Sequence, residues 1–160
     1  MDDKTYSIII KKDEINVDHE IKSLRLDNRR NLNKKIGAIA TFIGSVRDIN
    51  ENNEIYSMFL EHYPEMTEKS IYRIVQKAFS RWKILNIRIV HRIGLLNSGE
   101  NIVFVGVSAG HRKEAFDCCQ FIMDYLKTQA PFWKKESTNI GERWVKARKE
   151  DKLALEKWKD

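Results

Sequence analysis

Two lysines on either side of a proline form the strongest candidate for a reactive site in this sequence. Lys127 lies in the last turn of a predicted helix that Pro131 ends, and Lys134 follows the aromatic pair Phe132–Trp133. A rigid bend and two large rings could hold one ammonium group opposite the other. A nearby cation or burial lowers the pKa of a lysine and makes it usable as an acid or base. The structural alternative is that a lysine near a helix C-terminus is simply favoured by the helix dipole.

A second candidate is the segment Gly110-His111-Arg112, where a predicted strand runs through glycine into the start of a helix. The unpaired N–H groups and the dipole at a helix N-terminus attract anions, so a histidine and an arginine there suit a phosphate or carboxylate. Arg47 follows another predicted strand and is a weaker candidate of the same kind. Both patterns are also compatible with charged side chains in ordinary surface turns.

The adjacent Cys118 and Cys119 are the cysteines of the chain. Neighbouring helical residues point about 100° apart, so we expect no disulfide between them. Two cysteines without a CxxC spacing do not form a four-ligand zinc site without histidine help. We therefore interpret both as small apolar core residues. The other histidines, such as His62 and His91, form no ligand pattern, and the sequence contains no P-loop, dinucleotide, GxSxG or HExxH motif.

Composition limits the class of protein. The 160 residues are 42% hydrophobic and 32% charged, which favours one domain with a packed core. No apolar run approaches the roughly 20 residues that cross a bilayer, and the acidic start does not resemble a signal peptide. We therefore expect a cytoplasmic protein that does not associate with membranes. The net charge of +6 suggests an anionic partner. Because the positive charge is not gathered into one tail, we expect that partner not to be nucleic acid.

Hydrophobic periodicity predicts the elements that must position these residues. Strands are predicted at 6–11, 37–43, 55–62, 85–93 and 102–107, with an extended stretch at 134–138 and a strand ending at Trp144. Helices are predicted at 17–26, from Thr67 as N-cap to Trp82, from His111 to Pro131, and, as a charged helix, at 148–158. Loops are predicted at 27–35 and 44–54. The long helix should bury a stripe formed by Ala115, Cys118, Cys119, Ile122, Met123 and Leu126. Because the βαβ alternation is incomplete, we predict an α+β fold.

Several segments, taken in order, resemble the family of molybdopterin synthase catalytic (large) subunits, the MoaE family. They are LEHYPEMTEK at 60–69, HRIG at 91–94, HRKEAFDCCQFIMDYLKTQAPFWKKE at 111–136 and RWVKAR at 143–148. The resemblance covers roughly residues 37–148. It implies an α/β hammerhead with an additional antiparallel β subdomain. We expect a single domain over 1–160, with an N-terminal strand, helix and loop at 1–36, the family core at 37–148 and a charged C-terminal helix at 149–160.

The resemblance also implies an activity. The family converts cyclic pyranopterin monophosphate to molybdopterin, in molybdenum cofactor biosynthesis, by transferring two sulfurs. The sulfur arrives as a thiocarboxylate on the C-terminal Gly-Gly tail of a small ubiquitin-like sulfur-carrier subunit. Two large subunits form the central dimer of a heterotetramer, with one carrier at each outer end. No cofactor and no metal are implied.

Carried over onto this sequence, the family pattern makes Lys127 and Lys134 the catalytic lysines, and we expect Lys127 to be the main acid–base or orienting group, with Lys134 assisting. It assigns substrate binding to Ser45, Val46, Arg47, His111, Arg112, Lys135 and Glu136, and it places Phe42, Met123 and Arg148 at the pocket. Ser45 is a departure, because family members have lysine at that position. The site therefore has one charge fewer, or the position contributes mainly its backbone.

Three other interpretations remain open on sequence grounds. A cysteine-dependent sulfurtransferase would carry a persulfide on Cys118 or Cys119 and would need no carrier protein. A non-enzymatic nucleic-acid-binding module would bind through the basic surface, with strong salt dependence. A degenerate member of the family could act as a scaffold, although the presence of both lysines, Arg47, His111 and Arg112 argues against it.

Overall fold

The apolar segments of the chain form strands and helices of an α+β fold over residues 4–159, the part of the chain that this computed structural model describes. The strands are β1 (Thr5–Lys11), β2 (Ala38–Ser45), β3 (Ile49–Asn50), β4 (Asn53–His62), β5 (Ile84–Arg92), β6 (Gly94–Asn97), β7 (Asn101–Ala109), β8 (Phe132–Thr138) and β9 (Gly141–Trp144). The helices are α1 (Val17–Leu24), α2 (Met66–Arg81), α3 (Arg112–Gln129) and α4 (Lys149–Ala154), followed by a 3₁₀ turn (Leu155–Trp158). The predicted fold class is confirmed. Among these residues, no helix is both long enough and apolar enough to cross a membrane.

The first sheet has the strand order β1-β5-β7-β2, with β1 parallel to β5 and the other pairs antiparallel. The central strands β5 and β7 are buried along almost their whole length, as their continuous apolar sequences predict. One face, with Ile87 and Val105, shares a core with α2 and α3. The other face, with Val90 and Phe104, packs against Leu24 of α1. The first sheet is therefore covered by helices on both sides.

The second sheet is the additional antiparallel β subdomain. Strand β4 lies between β8 and β6, β3 forms a short hairpin with β4, and β9 pairs with β8. Because β8 follows directly after helix α3, this sheet lies beside the C-terminal end of that helix.

Helix α3 confirms the prediction from sequence most closely. It ends at Gln129, and Ala130 before Pro131 is extended, with φ −85° and ψ 124°, as a residue preceding proline should be. All six residues of the predicted apolar stripe are buried. Cys118 and Cys119 are free and buried, which confirms that they pack in the core.

The start of helix α2 differs from the prediction. Thr67 is not the N-cap; the helix begins at Met66, preceded by Glu65 with φ 67°. The Thr67 hydroxyl instead accepts a hydrogen bond from the Tyr63 N–H at 3.0 Å and donates one to the Pro131 carbonyl at 3.1 Å. The threonine therefore attaches the start of α2 to the bend that precedes β8.

Two other predictions need correction. The predicted loop at 44–54 contains β3 and the start of β4, joined by Glu51 and Asn52 with φ 51° and 65°, the left-handed conformation of a tight hairpin turn. The predicted charged helix at 148–158 is a short helix followed by a 3₁₀ turn, and its Trp158 is buried with the core. Local pairing of Ile49 with Glu54 closes the first segment, whereas packing of Trp158 against the distant Trp82 and Phe121 holds the second.

Candidate active site

Two adjoining cavities lie where the C-terminal end of α3 meets the second sheet, and together we call them the cleft. The first, about 360 Å³, is the polar lobe, whose walls include Arg47, Asn50, Glu136, Arg148 and Asp151. The second, about 470 Å³, is the apolar lobe, whose walls include Phe42, Ile43, Val103, Met123 and Leu126. Both lobes share Ser45, Arg47, Ile102, Lys127, Phe132 and Lys134. The two lysines therefore lie where the lobes meet.

Lys127 and Lys134 reach the same cleft from different elements, the last turn of α3 and strand β8. Burial, and to a smaller extent the positive charge of Lys127, lower the pKa of Lys134 to about 8. The carboxylates of Asp151 and Glu136 act in the opposite direction. Roughly a tenth of Lys134 is therefore neutral at pH 7, far more than for an ordinary lysine, which suits a group that exchanges protons.

His91 forms part of the cleft wall and was not among the predicted site residues. Its ring stacks on Phe132 with ring centroids 3.7 Å apart, and Nδ1 lies 2.8 Å from the Arg92 carbonyl oxygen. Burial lowers the pKa of His91 to about 3, so the imidazole is neutral. A neutral ring next to a carbonyl oxygen carries its proton on Nδ1, which leaves Nε2 as an acceptor.

The polar lobe contains a hydrogen-bonded group of charged side chains. Arg47 Nη2 and Arg148 Nη2 both donate to Asn50 Oδ1, at 3.1 Å and 2.9 Å. Asn50 Nδ2 donates to Glu136 Oε1 at 2.8 Å, and Arg143 Nε donates to Glu136 Oε2 at 3.0 Å. Glu136 is 2% exposed, so its carboxylate is a solvent-shielded part of the wall of the lobe.

The alternation of strand β8 explains why its charged residues separate. Lys134 and Glu136 are paired with the buried Leu60 and Met58 of β4 and face the cleft. Lys135 faces the other side of the sheet, where its ammonium lies 2.8 Å from Glu142 Oε2. The structure therefore does not bring Lys135 into the cleft.

The side chains of the neighbouring residues Ser45 and Val46 have different surroundings. Ser45 lines both lobes, and its hydroxyl donates to Asn101 Oδ1 at 2.9 Å. The Val46 side chain is buried in the core, its N–H donates to the Glu100 carbonyl at 2.9 Å, and its carbonyl accepts from the Gly99 N–H at 2.7 Å. Val46 thus orients the strand end, and Ser45 faces the cleft.

His111 and Arg112 lie at the opposite end of α3 from Lys127. Arg112 and Lys127 are fifteen positions apart on the helix, which corresponds to roughly 22 Å at 1.5 Å per residue. Both side chains are exposed. Within one chain, this pair cannot contact the same small ligand as the lysines.

Asn50, His91 and Asp151 are among the cleft residues that sequence reasoning missed, as is Arg143, which bonds to Glu136 of the cleft wall. Asn50 lay in a segment interpreted as a polar loop, and Asp151 in one interpreted as a charged helix. Neither pattern indicates which distant groups these side chains meet. Across residues 4–159, no group of three or more histidine, cysteine or acidic side chains is placed to hold a metal ion.

The fold and the cleft together define an α+β protein with a cleft whose walls include two lysines and two arginines. The model of one family, described as MoaE protein, matches residues 10–129, and the chain belongs to this family.

Individual relatives agree with this assignment. The chain is 56% identical over 123 residues to the molybdopterin synthase catalytic subunit of Haemophilus influenzae, covering 77% of this chain and 82% of that one. The structure of the molybdopterin biosynthesis MoaE protein from Burkholderia ambifaria superimposes with a TM-score of 0.78 at 48% identity, covering 95% and 97% of the two chains. The molybdopterin synthase structure from Staphylococcus aureus gives 0.75 at 28% identity, covering 86% and 96%.

Proposed function

We propose that this chain is a cytoplasmic catalytic subunit of molybdopterin synthase. It converts cyclic pyranopterin monophosphate to molybdopterin with two sulfurs from the C-terminal thiocarboxylate of a small ubiquitin-like carrier subunit. The observation that carries this proposal is that Lys127 and Lys134 share one cleft with Arg47 and Arg148. The names of the related proteins support the same activity.

The polar lobe suits the phosphate of the substrate. Arg47 and Arg148 enter it from distant parts of the chain, and guanidinium groups form strong charge-assisted hydrogen bonds to phosphate oxygens. The apolar lobe suits the tail of the carrier, because its walls of Phe42, Met123 and Leu126 exclude water beside the lysines. The carrier thiocarboxylate and the pterin side chain then meet at the boundary between the two lobes.

The reaction begins when the thiocarboxylate sulfur attacks a carbon of the pterin side chain. A C–S bond forms, and the linkage from that carbon to the cyclic phosphate breaks. Water then hydrolyses the acyl–sulfur bond, which leaves the first sulfur on the pterin and a carboxylate on the carrier. A second thiocarboxylated carrier delivers the other sulfur to the neighbouring carbonyl carbon, whose oxygen leaves as water. Neutral Lys134 accepts the proton of the attacking water, and the Lys127 ammonium stabilises the negative charge.

Sequence reasoning gave Lys127 the main acid–base role and Lys134 an assisting one. The lowered pKa of Lys134 favours exchanging these roles, because a partly neutral lysine is the better proton acceptor. His111 and Arg112 retain their proposed role in substrate binding only if a second copy of the chain brings them to the cleft. Their placement therefore fits the central dimer that the family resemblance implies.

The cysteine-dependent alternative is disfavoured by the same structure. Burial raises the pKa of the Cys118 thiol strongly and that of the Cys119 thiol to about 11, whereas a sulfur nucleophile must be a thiolate. Neither thiol is in the set of residues that line the cleft.

Reconstitution tests the proposal. The purified chain is mixed with cyclic pyranopterin monophosphate and a thiocarboxylated carrier subunit, and the dithiolene product is measured. We expect product with the wild type, none with Lys127→Ala and wild-type amounts with Lys69→Ala, an exposed lysine on α2. Absence of product with a competent carrier, or sulfur transfer through a persulfide on this chain without a carrier, contradicts the proposal.

A further inference from the structure

Asn50 makes more charged contacts than its position in a short hairpin suggests. It is 8% exposed at the end of β3, and its side chain bonds to Arg47, Arg148 and Glu136. Two of these partners lie 86 and 98 residues away in the sequence. One amide therefore joins the β2–β3 loop, strand β8 and the segment that leads into α4.

The chemistry of its partners fixes the orientation of this amide. A buried carboxylate can only accept hydrogen bonds, so Glu136 Oε1 must face the Asn50 NH₂ group. Guanidinium groups can only donate, so Arg47 and Arg148 must face the Asn50 oxygen. Reversing the amide would break all three bonds. Its oxygen is therefore held toward the polar lobe.

Arg143 strengthens this arrangement from behind. Its Nε donates to Glu136 Oε2 at 3.0 Å, and its Nη2 donates to the Asn50 carbonyl oxygen at 3.0 Å. The ion pair of Arg143 and Glu136 thus fixes both the backbone and the side chain of Asn50. A positioned amide loses little conformational entropy when a ligand binds beside it.

The shared bond acceptor holds Arg47 and Arg148 close together. Because both Nη2 atoms bond to the same oxygen, they lie within about 6 Å of each other, although two guanidinium groups repel. Each guanidinium has five N–H donors and uses one of them on Asn50. Their remaining donors can converge on a group with several anionic oxygens in the polar lobe.

We infer that Asn50 is the positioning residue of the anion site, holding Arg47 and Arg148 together as a two-sided clamp for a phosphoryl group. The phosphoryl ligand rests on the proposed function, whereas the clamp rests on the hydrogen bonds. Asn50 acts through the arginines and does not touch the reacting atoms. Its loss should therefore raise the KM for substrate far more than it lowers kcat.

Two substitutions separate the functions of the amide. Asn50→Leu keeps the branched shape and the number of heavy atoms, and removes both the acceptor for the arginines and the donor to Glu136. Asn50→Asp keeps an acceptor for the arginines but places a second carboxylate against Glu136 and neutralises part of the positive charge. Both variants should bind phosphate more weakly. The matched control is Asn53→Ala, because Asn53 is the hairpin partner of Asn50 and its amide bonds to the Glu51 carbonyl.

The test is calorimetric titration of the full chain with inorganic phosphate at constant ionic strength, with thermal unfolding of each variant. We expect the wild type and Asn53→Ala to bind equally, and Asn50→Leu and Asn50→Asp to bind at least about tenfold more weakly. In the reconstituted reaction, the KM of the Asn50 variants should rise by a similar factor with kcat within about twofold.

Several outcomes overturn the inference. Wild-type phosphate affinity in a folded Asn50 variant shows that the amide does not position the clamp, and equal weakening in Asn53→Ala assigns the effect to the hairpin as a whole. If the wild type does not bind phosphate, Arg47 and Arg148 do not form a phosphate clamp. Phosphate binding that depends on Asn50, without dithiolene product from the wild type, instead contradicts the proposed function and supports the clamp.

Discussion

The indole N–H of Trp158 donates a hydrogen bond of 2.7 Å to the carboxylate of Asp124 on helix α3. The Trp158 ring also packs edge-on against Trp82 and Phe121, and its carbonyl accepts from Arg81 Nη1 at 3.0 Å. This contact fixes the 3₁₀ turn and the preceding α4 against α3. Because Asp151 of α4 lines the polar lobe, a contact outside the cleft holds one of its walls in place.

Trp158→Phe tests this attachment. A smaller aromatic ring remains, but Asp124 Oδ2 loses its donor, so we expect the free energy of unfolding to fall by about 1–3 kcal/mol. Phosphate binding should weaken severalfold because the wall of the polar lobe becomes less fixed. Urea unfolding and calorimetry measure the two effects. Trp144→Phe, an exposed tryptophan on β9, is the control and should change stability by less than about 0.5 kcal/mol. Equal stability of the two variants would contradict the attachment.

The charge on Asp151 should control the pH dependence of the reaction. Asp151 raises the pKa of Lys134, which is about 8, so Asp151→Asn should lower that pKa and increase the neutral fraction of Lys134 at any given pH. If Lys134 accepts a proton, the acidic limb of kcat/KM moves to lower pH. The pH–rate profile of the reconstituted reaction measures this shift. Asp151→Glu should keep the wild-type profile. If the acidic limb of Asp151→Asn is unchanged or moves to higher pH, Lys134 is not the base.

Buried His91 should make the protein sensitive to acid. Its pKa is about 3 in the folded protein against 6.5 as the ordinary value, so between these pH values the unfolded chain binds the additional proton. The free energy of unfolding therefore falls as the pH decreases below 6.5, by up to about 1.4 kcal/mol per pH unit. His91→Phe can keep a stacked ring on Phe132 without the titrating group. Urea unfolding between pH 4 and 7 should give a shallower slope for this variant, and identical slopes would contradict the assignment.

The adjacent cysteines should be dispensable for sulfur transfer. The double variant Cys118→Ala and Cys119→Ala removes two buried side chains from α3, which should cost about 0.5–3 kcal/mol of stability without changing the cleft. Dithiolene formation with a thiocarboxylated carrier, measured below the melting temperature, should remain close to wild type. Loss of turnover in a folded double variant would support the cysteine-dependent alternative instead.

Local signals in the sequence were sufficient for helix α3 and its end. The 3.6-residue spacing of apolar residues and the conformational restriction before Pro131 act within a few residues, so the stripe and the position of Lys127 were predictable. The opposite orientations of Lys134 and Lys135 were also predictable from the two-residue alternation of a strand. Treating 134–138 only as extended chain left that consequence out.

Contacts between distant segments could not be predicted in this way. Asn50 gains its partners only when β3, β8 and the segment before α4 come together, and no spacing in the sequence shows that meeting. Trp158 likewise lies in a segment rich in charges, and its burial follows from its contacts with Asp124, Trp82 and Phe121. The separation of His111 from the lysines follows from the length of α3, which was predicted correctly, so the distance was implicit in the sequence.

The most direct test of the proposed chemistry compares Lys134→Met with the wild type in the reconstituted reaction. The chain, cyclic pyranopterin monophosphate and the thiocarboxylated carrier are mixed in a single turnover, and the dithiolene product is followed over time. We predict that Lys134→Met folds and still binds inorganic phosphate, but forms product about 10²- to 10⁴-fold more slowly, whereas Lys69→Met reacts at the wild-type rate. Product formation by Lys134→Met at the wild-type rate would contradict the account.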